Sequence, residues 1–150
     1  MSLNTKELVK KYNIKMTKSL GQNFLIDAGM VSRIVDAADI RREDLVIEIG
    51  PGVGSMTTEL ASRAGWVTAI EIDRHLIPAL SENLKEFNNV DIINEDVLKL
   101  DIKKDVIEKA ANTNRNFKAG KIKVVANLPY YITTPIIMKL LEEDPGVDTM

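Results

Sequence analysis

Short apolar runs alternate with stretches of helical spacing along most of the chain. Runs typical of buried strands occupy residues 45–49, 66–72, 90–93 and 122–126. Apolar residues at helical spacing follow these runs at residues 55–64, 74–86, 102–111 and from 136 to 141, and precede them at 28–38. Strands that alternate with helices predict an α/β fold with a largely parallel sheet and helices on both faces. The carboxyl ends of the strands are then the expected place for a ligand.

Three glycines interrupt the pattern directly after the first strand. Gly50, Gly52 and Gly54 stand at alternate positions, two residues after the acidic Glu48. Glycine permits a tight turn and lets a ligand approach where a Cβ would clash, and the next helix presents free N–H groups in its first turn. A dinucleotide fold needs a third glycine at position 55, which is Ser55, and a pyrophosphate does not favour the charge of Glu48. The spacing E-x-G-x-G-x-G resembles the first motif of S-adenosylmethionine (SAM) methyltransferases, with a strand–helix turn that binds nothing as the alternative.

Acidic residues stand at the ends of the second and third predicted strands. Glu71 lies 21 positions after Gly50, a spacing at which an acid accepts hydrogen bonds from ribose hydroxyls. Ile72 is predicted to pack against the adenine face, and Asp96 to accept a hydrogen bond from the adenine amino group. The alternative for each acid is a solvated carboxylate.

The fourth strand is followed by Asn127, Leu128, Pro129 and Tyr130. An exocyclic adenine amine is a poor nucleophile, because its lone pair is delocalised into the ring. The side-chain oxygen of Asn127 and the carbonyl of Leu128 can accept the two N–H groups, Pro129 stiffens the turn, and Tyr130 offers a face on which a flipped base can stack. The alternative is an ordinary strand-ending turn.

Composition excludes several classes of protein. The 150 residues are 45% hydrophobic and 28% charged, there is no cysteine, and no apolar run approaches the ~20 residues of a membrane span. We therefore expect a cytoplasmic protein that uses no metal and contacts no membrane. Residues 1–18 hold five lysines and one glutamate, a net +4, so the other 132 residues carry −6 of the total of −2. This basic arm is either an RNA-contacting segment or a solvated terminus.

Three polar residues near the predicted site are assigned no role in binding. We interpret Asp73 and Glu95 as solvated neighbours of the strand-end acids. His75, the single histidine, is predicted to lie on the surface at a helix start.

Five motifs occur together and in order: Gly21-Gln22-Asn23-Phe24-Leu25, Glu48-Ile49-Gly50-Pro51-Gly52-Val53-Gly54, Glu71-Ile72-Asp73, Glu95-Asp96 and Asn127-Leu128-Pro129-Tyr130. Together they resemble the ribosomal RNA adenine N6-dimethyltransferase family of the bacterial KsgA type. The resemblance implies a Rossmann-like SAM-dependent fold and dimethylation of two adjacent adenines near the 3′ end of 16S ribosomal RNA in the small subunit. It implies cofactor contacts at Gln22, Asn23, Leu25, Glu48, Gly50, Gly52, Gly54, Glu71, Ile72, Asp96, Val97 and Asn127. Catalysis is expected at Asn127, Leu128, Pro129 and Tyr130.

Three other functions are consistent with parts of this pattern. Related 23S enzymes of the macrolide-resistance type share the scaffold, but their motifs tend to read N-I-P-Y and lack the Gly50-Pro51-Gly52 form. A non-catalytic SAM- or RNA-binding fragment is the second alternative. A nicotinamide dehydrogenase is disfavoured by Ser55.

The resemblance also sets expectations about domain organisation. Residues 1–27 are predicted to form the basic arm and a loop that covers the cofactor. Residues 145–150 look like the opening of a fifth strand, so we expect a methyltransferase domain that is truncated before its last strands and lacks the family's C-terminal helical RNA-docking domain. An open edge on the fourth strand would then favour self-association.

Overall fold

A computed structural model describes residues 4–14, 28–113, 117–126, 130–143 and 146–150. The strands are β1 (Leu45–Ile49), β2 (Trp66–Glu71), β3 (Val90–Asn94) and β4 (Ile122–Ala126). The helices are α1 (Thr5–Lys11), α2 (Ala28–Ala38), α3 (Ser55–Arg63), α4 (Ile77–Leu84), α5 (Lys109–Thr113) and α6 (Tyr130–Glu143). Two short 3₁₀ turns (Arg74–Leu76 and Val97–Lys99) and a π-helical segment (Ile102–Glu108) complete the described elements.

The four strands form one parallel sheet in the order β3-β2-β1-β4. Leu45 at the start of β1 pairs with Trp66 on one side and with Ile122 on the other. The chain therefore adds strands on one side of β1 and then crosses to the other side, which creates a switch point beside β1. The predicted α/β class and parallel sheet are confirmed.

Helices cover both faces of the sheet, because alternate residues of each strand point to opposite sides. On one face, Val46, Val67 and Val125 pack under α2 and α3. On the other face, Ile47 and Ile70 belong to a second core with residues of the π-helical segment and α6. The predicted placement of helices on both faces is confirmed.

The helices depart from the predicted bounds where particular residues interrupt them. The helix expected over 74–86 is divided, because the Asp73 side chain caps a 3₁₀ turn and Pro78 lies in the first turn of α4, which starts at Ile77. The helix expected from residue 136 begins at Tyr130 and continues through Pro135, although a proline removes one intrahelical N–H donor.

The outer edge of β4 is partly covered. The Val124 N–H donates to the carbonyl of Thr149 at 2.8 Å, and the Asp148 N–H donates to that of Ile122 at 2.7 Å. Lys123 and Thr149 form an isolated parallel bridge, and the opening of a fifth strand stays a prediction. The premise of an open edge on β4, on which self-association rested, is therefore wrong over this stretch.

A buried ion pair holds together the amino edge of the sheet. The Lys123 ammonium lies 3.0 Å from the Asp44 carboxylate, and both side chains are at most 5% exposed. The ammonium also donates to the carbonyl of Asp39 at 2.5 Å, and the Arg41 N–H donates to Asp44 at 2.8 Å. These contacts tie the loop after α2 to the starts of β1 and β4.

Removal of one partner of this pair should be far more damaging than removal of both. Asp44→Asn leaves the Lys123 charge buried without a counter-ion and should lower the free energy of unfolding by about 3–5 kcal/mol. The double variant D44N/K123M should lie closer to the parent in urea denaturation. A double variant as unstable as the single one would show that the pair's charges are not what matters here.

Candidate functional site

The carboxyl ends of the four strands meet at one edge of the sheet. Ile49 at the end of β1 pairs with Ile70 of β2 and with Ala126, the last residue of β4. Glu71 at the end of β2 pairs with Asn94, whose side-chain amide donates to the carbonyl of Glu71 at 2.8 Å. The turns that follow β1, β2 and β3 therefore start side by side, and the chain leaves β4 at the same edge.

The turn after β1 takes a backbone conformation that requires glycine. Gly50, Gly52 and Gly54 have φ angles of 73°, 63° and 93°, in the left-handed region that residues with a Cβ rarely occupy. The Gly50 N–H donates to Ile70 and the Gly54 N–H to Pro51, each at 3.0 Å. We call residues 50–54 the glycine turn.

Gly54 is required for packing as well as for backbone conformation. A Cβ at this position would lie 2.9 Å from Leu80 Cδ1 and 3.2 Å from Asn83 Nδ2, both on α4. Gly54 is also the N-cap of α3, and no side chain caps that helix. The start of α3 is thus pressed against α4 at the end of the glycine turn.

Glu71 joins the end of β2 to the glycine turn. One carboxylate oxygen accepts the Gly52 N–H at 3.0 Å and the other accepts the Asp73 N–H at 2.9 Å. Burial raises the pKa of Glu71, and the two backbone hydrogen bonds oppose that rise. The carboxylate retains further lone pairs that can accept hydrogen bonds from a ligand.

Glu48 lies beneath the glycine turn and not on its surface. Its side chain is 1% exposed and accepts a hydrogen bond from the hydroxyl of Thr57 in α3. Burial, assisted by the nearby charge of Glu71, raises the pKa of Glu48 to about 7, and the hydrogen bond from Thr57 opposes this rise. Glu48 therefore ties β1 to α3 below the glycine turn. Its predicted contact with a cofactor stays a prediction.

The remaining predicted residues differ in what they offer a ligand. The Ile72 side chain is 46% exposed beside Glu71, as a residue that packs on a ligand ring should be. The Asp96 side chain accepts the Leu98 N–H at 2.9 Å and caps the 3₁₀ turn after β3. The Val97 side chain is buried in the core, so only its backbone can face a cofactor.

Two of the three polar residues predicted to be solvent-exposed near the site are exposed. His75 is on the surface, with 79% of its side chain exposed. Asp73 was expected to be solvated, but only 9% of its side chain is exposed, and it accepts hydrogen bonds from the backbone and ring of His75. Glu95 is exposed and accepts the Asp96 N–H at 2.8 Å.

Several predicted site residues lie outside the described part of the chain. They are Gln22, Asn23, Leu25, Asn127, Leu128 and Pro129. Tyr130 is described as the first residue of α6, without its side chain. Within the described ranges, no helix is long and apolar enough to cross a membrane, and no three His, Asp or Glu side chains are grouped as a metal site would need.

Three residues that support the site were missed by the sequence analysis. They are Thr57, which binds Glu48, Asn83, which donates to the carbonyl of Val53 at 2.8 Å, and Asn94, which binds the end of β2. Asn83 is only 8% exposed. The available signal was its position, three residues after Leu80 and seven after Leu76 on the apolar face, because a buried amide needs a partner.

The sequence matches one described protein family over most of its length. Residues 13–150 match the model of a family described as ribosomal RNA adenine dimethylase. The chain belongs to this family. A curated relative from Alkaliphilus oremlandii, named ribosomal RNA small subunit methyltransferase A, is 53% identical over 97% of this chain and 48% of its own length. A relative of the same name from Bacillus pumilus is 54% identical over 95% of the chain and 47% of its own length.

A solved structure of a similar protein shares the fold. The crystal structure of the 23S rRNA methyltransferase ErmE is 33% identical, with a TM-score of 0.65 over 83% of this chain and 45% of the other. The chain spans about half the length of the curated relatives it matches.

The buried Glu48 predicts a specific pH dependence of stability. Because its pKa rises from 4.5 to about 7 on folding, the folded chain holds a proton that the unfolded chain loses in this window. Stability should therefore fall as pH rises from about 4.5 to 7 and level off above that range. Glu48→Gln should remove roughly 2–3 kcal/mol of this fall between pH 5 and pH 8.

Urea denaturation across this pH range tests the prediction, with the exposed Glu142→Gln as the matched control. The control should keep the parental pH dependence. An unchanged pH dependence in Glu48→Gln would contradict the assignment of the titration to Glu48.

Proposed function

We propose that this chain carries the SAM-binding and catalytic part of an enzyme that dimethylates N6 of two adjacent adenines near the 3′ end of 16S ribosomal RNA. The substrate would be the RNA within the small ribosomal subunit, and the reaction would be a cytoplasmic step of subunit biogenesis. The observation that carries the proposal is the convergence of the glycine turn, Glu71 and Asp96 at one sheet edge. It occurs in a chain whose curated relatives are named small subunit methyltransferases.

The described residues fit the adenosine part of SAM. Glu71 offers carboxylate oxygens at the end of β2, where ribose hydroxyls need acceptors. The exposed Ile72 offers an apolar surface for adenine, and Asp96 offers an acceptor for its amino group. The glycine turn lets a ligand approach its backbone closely. When bound, SAM supplies an electrophilic methyl group on a sulfonium centre.

The residues after β4 would orient the target base. The side-chain oxygen of Asn127 and the carbonyl of Leu128 would accept the two N–H groups of the adenine amine, so that its lone pair faces the cofactor. Tyr130 would stack on the flipped base. Orientation is the main contribution of these groups. No strong general base is required, because the methylated ammonium is acidic and releases its proton to water.

Relatedness favours the small-subunit substrate over the large-subunit one. The relatives named for the small subunit are 53% and 54% identical to this chain, whereas the 23S rRNA methyltransferase is 33% identical. The Gly50-Pro51-Gly52 form of the turn agrees with this preference.

Calorimetric titration of the chain with S-adenosylhomocysteine, with NAD as the control ligand, tests the cofactor site. We expect saturable binding of S-adenosylhomocysteine alone. Glu71→Gln should weaken it at least about tenfold, because an amide cannot accept the Gly52 and Asp73 N–H groups on both atoms. The exposed Glu95→Gln is the matched control and should bind like the parent. Binding of NAD, or of neither ligand, would contradict the proposal.

The catalytic assignment is tested by Asn127→Ala in a protein of the relatives' full length that carries this sequence. On small ribosomal subunits lacking the modification, the variant should lose at least about a hundredfold in kcat, because the amine is no longer oriented. The exposed Asn112→Ala is the matched control. Near-parental turnover of Asn127→Ala would refute the role given to Asn127. Cofactor binding with no methyl transfer by the unaltered protein would favour the non-catalytic alternative.

A further inference from the structure

The first described helix is packed onto the body of the protein and is not a free basic arm. Asn4 and Glu7 form a reciprocal capping box at its start, with the Glu7 N–H 2.9 Å from the Asn4 side-chain oxygen. Leu8 is completely buried, although the helix has only seven residues. So short a helix is unstable alone, so its packing is what keeps it folded.

The apolar face of α1 covers the glycine turn. Leu8 packs in one cluster with Val53, Leu76 and Ala79, and Val9, Tyr12 and Ile14 pack against the same cluster. Val53 stands between Gly52 and Gly54 and is 1% exposed. The one large apolar side chain in the second half of the glycine turn is therefore held between α1 and the start of α4.

The same turn is held from α4 by a hydrogen bond. The Asn83 side-chain amide donates to the carbonyl of Val53 at 2.8 Å, and both residues are buried. The side chain of Val53 is thus fixed by α1, while its carbonyl is fixed by α4.

An ion pair links the two helices beside this hydrogen bond. The Lys11 ammonium of α1 contacts the carboxylate of Glu82, the residue before Asn83. Half of the Lys11 side chain is exposed, so this pair adds little to stability. The burial of Leu8 is therefore the stronger part of the attachment.

We propose that α1 and α4 form a brace that holds the glycine turn in its ligand-binding conformation, with Leu8 and Asn83 as positioning residues for the cofactor. The turn contains three glycines at positive φ, and glycine loses more conformational freedom on ordering than any other residue. A turn that is ordered before the ligand arrives leaves less entropy to be lost on binding. This inference rests on the proposed function, because it takes the ligand to be SAM or its product.

Two measurements on the chain test the brace. In calorimetric titration with S-adenosylhomocysteine, Leu8→Ala and Asn83→Leu should each raise the Kd about tenfold, and Leu8→Met should bind within about threefold of the parent. In the ligand-free chain, Leu8→Ala and Asn83→Leu should speed the hydrogen exchange of the Gly52 and Gly54 amides, which donate to Glu71 and Pro51.

Leu140→Ala is the matched control for general destabilisation. Leu140 is buried in the cluster beneath α6, which contains no residue of α1 and none of residues 50–54. The variant should lower the melting temperature about as much as Leu8→Ala, yet leave the Kd and the exchange of both glycine amides unchanged. All titrations are made at a temperature at which each variant is folded.

The outcomes separate the brace from the proposed function. If Leu8→Ala and Asn83→Leu match Leu140→Ala in Kd and in glycine exchange, the helices are merely structural and the brace is refuted. If the parent does not bind S-adenosylhomocysteine, the proposed function fails. In that case faster glycine exchange in the two brace variants alone would still support the brace, and equal exchange would overturn it.

Discussion

The site depends on one carboxylate that accepts two backbone N–H groups. Glu71 holds the Gly52 N–H with one oxygen and the Asp73 N–H with the other. It therefore fixes the turn after β1 relative to the turn after β2, which are neighbours only because their strands pair in parallel. Burial disfavours the charged form of this carboxyl, and the hydrogen bonds offset only part of that cost, so its pKa is still raised. Its remaining lone pairs are the acceptors that we propose for the ligand.

Buried charged side chains occur at both edges of the sheet, as an ion pair at the amino edge and as two carboxyl groups at the carboxyl edge. At the amino edge, Asp44 and Lys123 neutralise each other and join loops that carry no predicted chemistry. At the carboxyl edge, Glu48 and Glu71 are buried close together, and no cation is found beside either within the described residues. The charge of Glu71 adds to the effect of burial in raising the pKa of Glu48, and carboxyl groups perturbed in this way are typical of functional sites.

The sheet was predictable from the sequence because its strands are short apolar runs with clear ends. The bounds of β1 and β4 were predicted to the residue. The division of the helix after β2 was not, because it depends on the Asp73 cap and Pro78. The positive φ angles of the glycine turn agree with the tight turn that the glycine motif predicted. The same motif does not indicate that Glu48 is buried. The burial of Glu48 depends on its contact with Thr57 in α3. Thr57 is nine residues further along the chain, and the sequence does not show that the two side chains meet.

The brace is the part of the site that was least predictable from the sequence. Leu8 and Asn83 are ordinary residues in their own helices, and their relation to Val53 exists only after the chain has folded. The lysines of the basic arm suggested a role for its charge, whereas the apolar face of α1 is what contacts the glycine turn. A charge pattern describes what a segment presents to solvent and leaves open what it packs against.

The most direct test of the account is whether S-adenosylhomocysteine perturbs the amides at the carboxyl edge. In ¹H–¹⁵N spectra of the chain, the Gly52 and Asp73 amides should shift on titration, because both donate to the carboxylate that would bind the ligand. The Gly65 and Gly120 amides, which donate to Asp44 and Glu43 at the opposite edge, should not move. Unmoved signals from Gly52 and Asp73 at saturating ligand would contradict the central claim that this edge is the cofactor site.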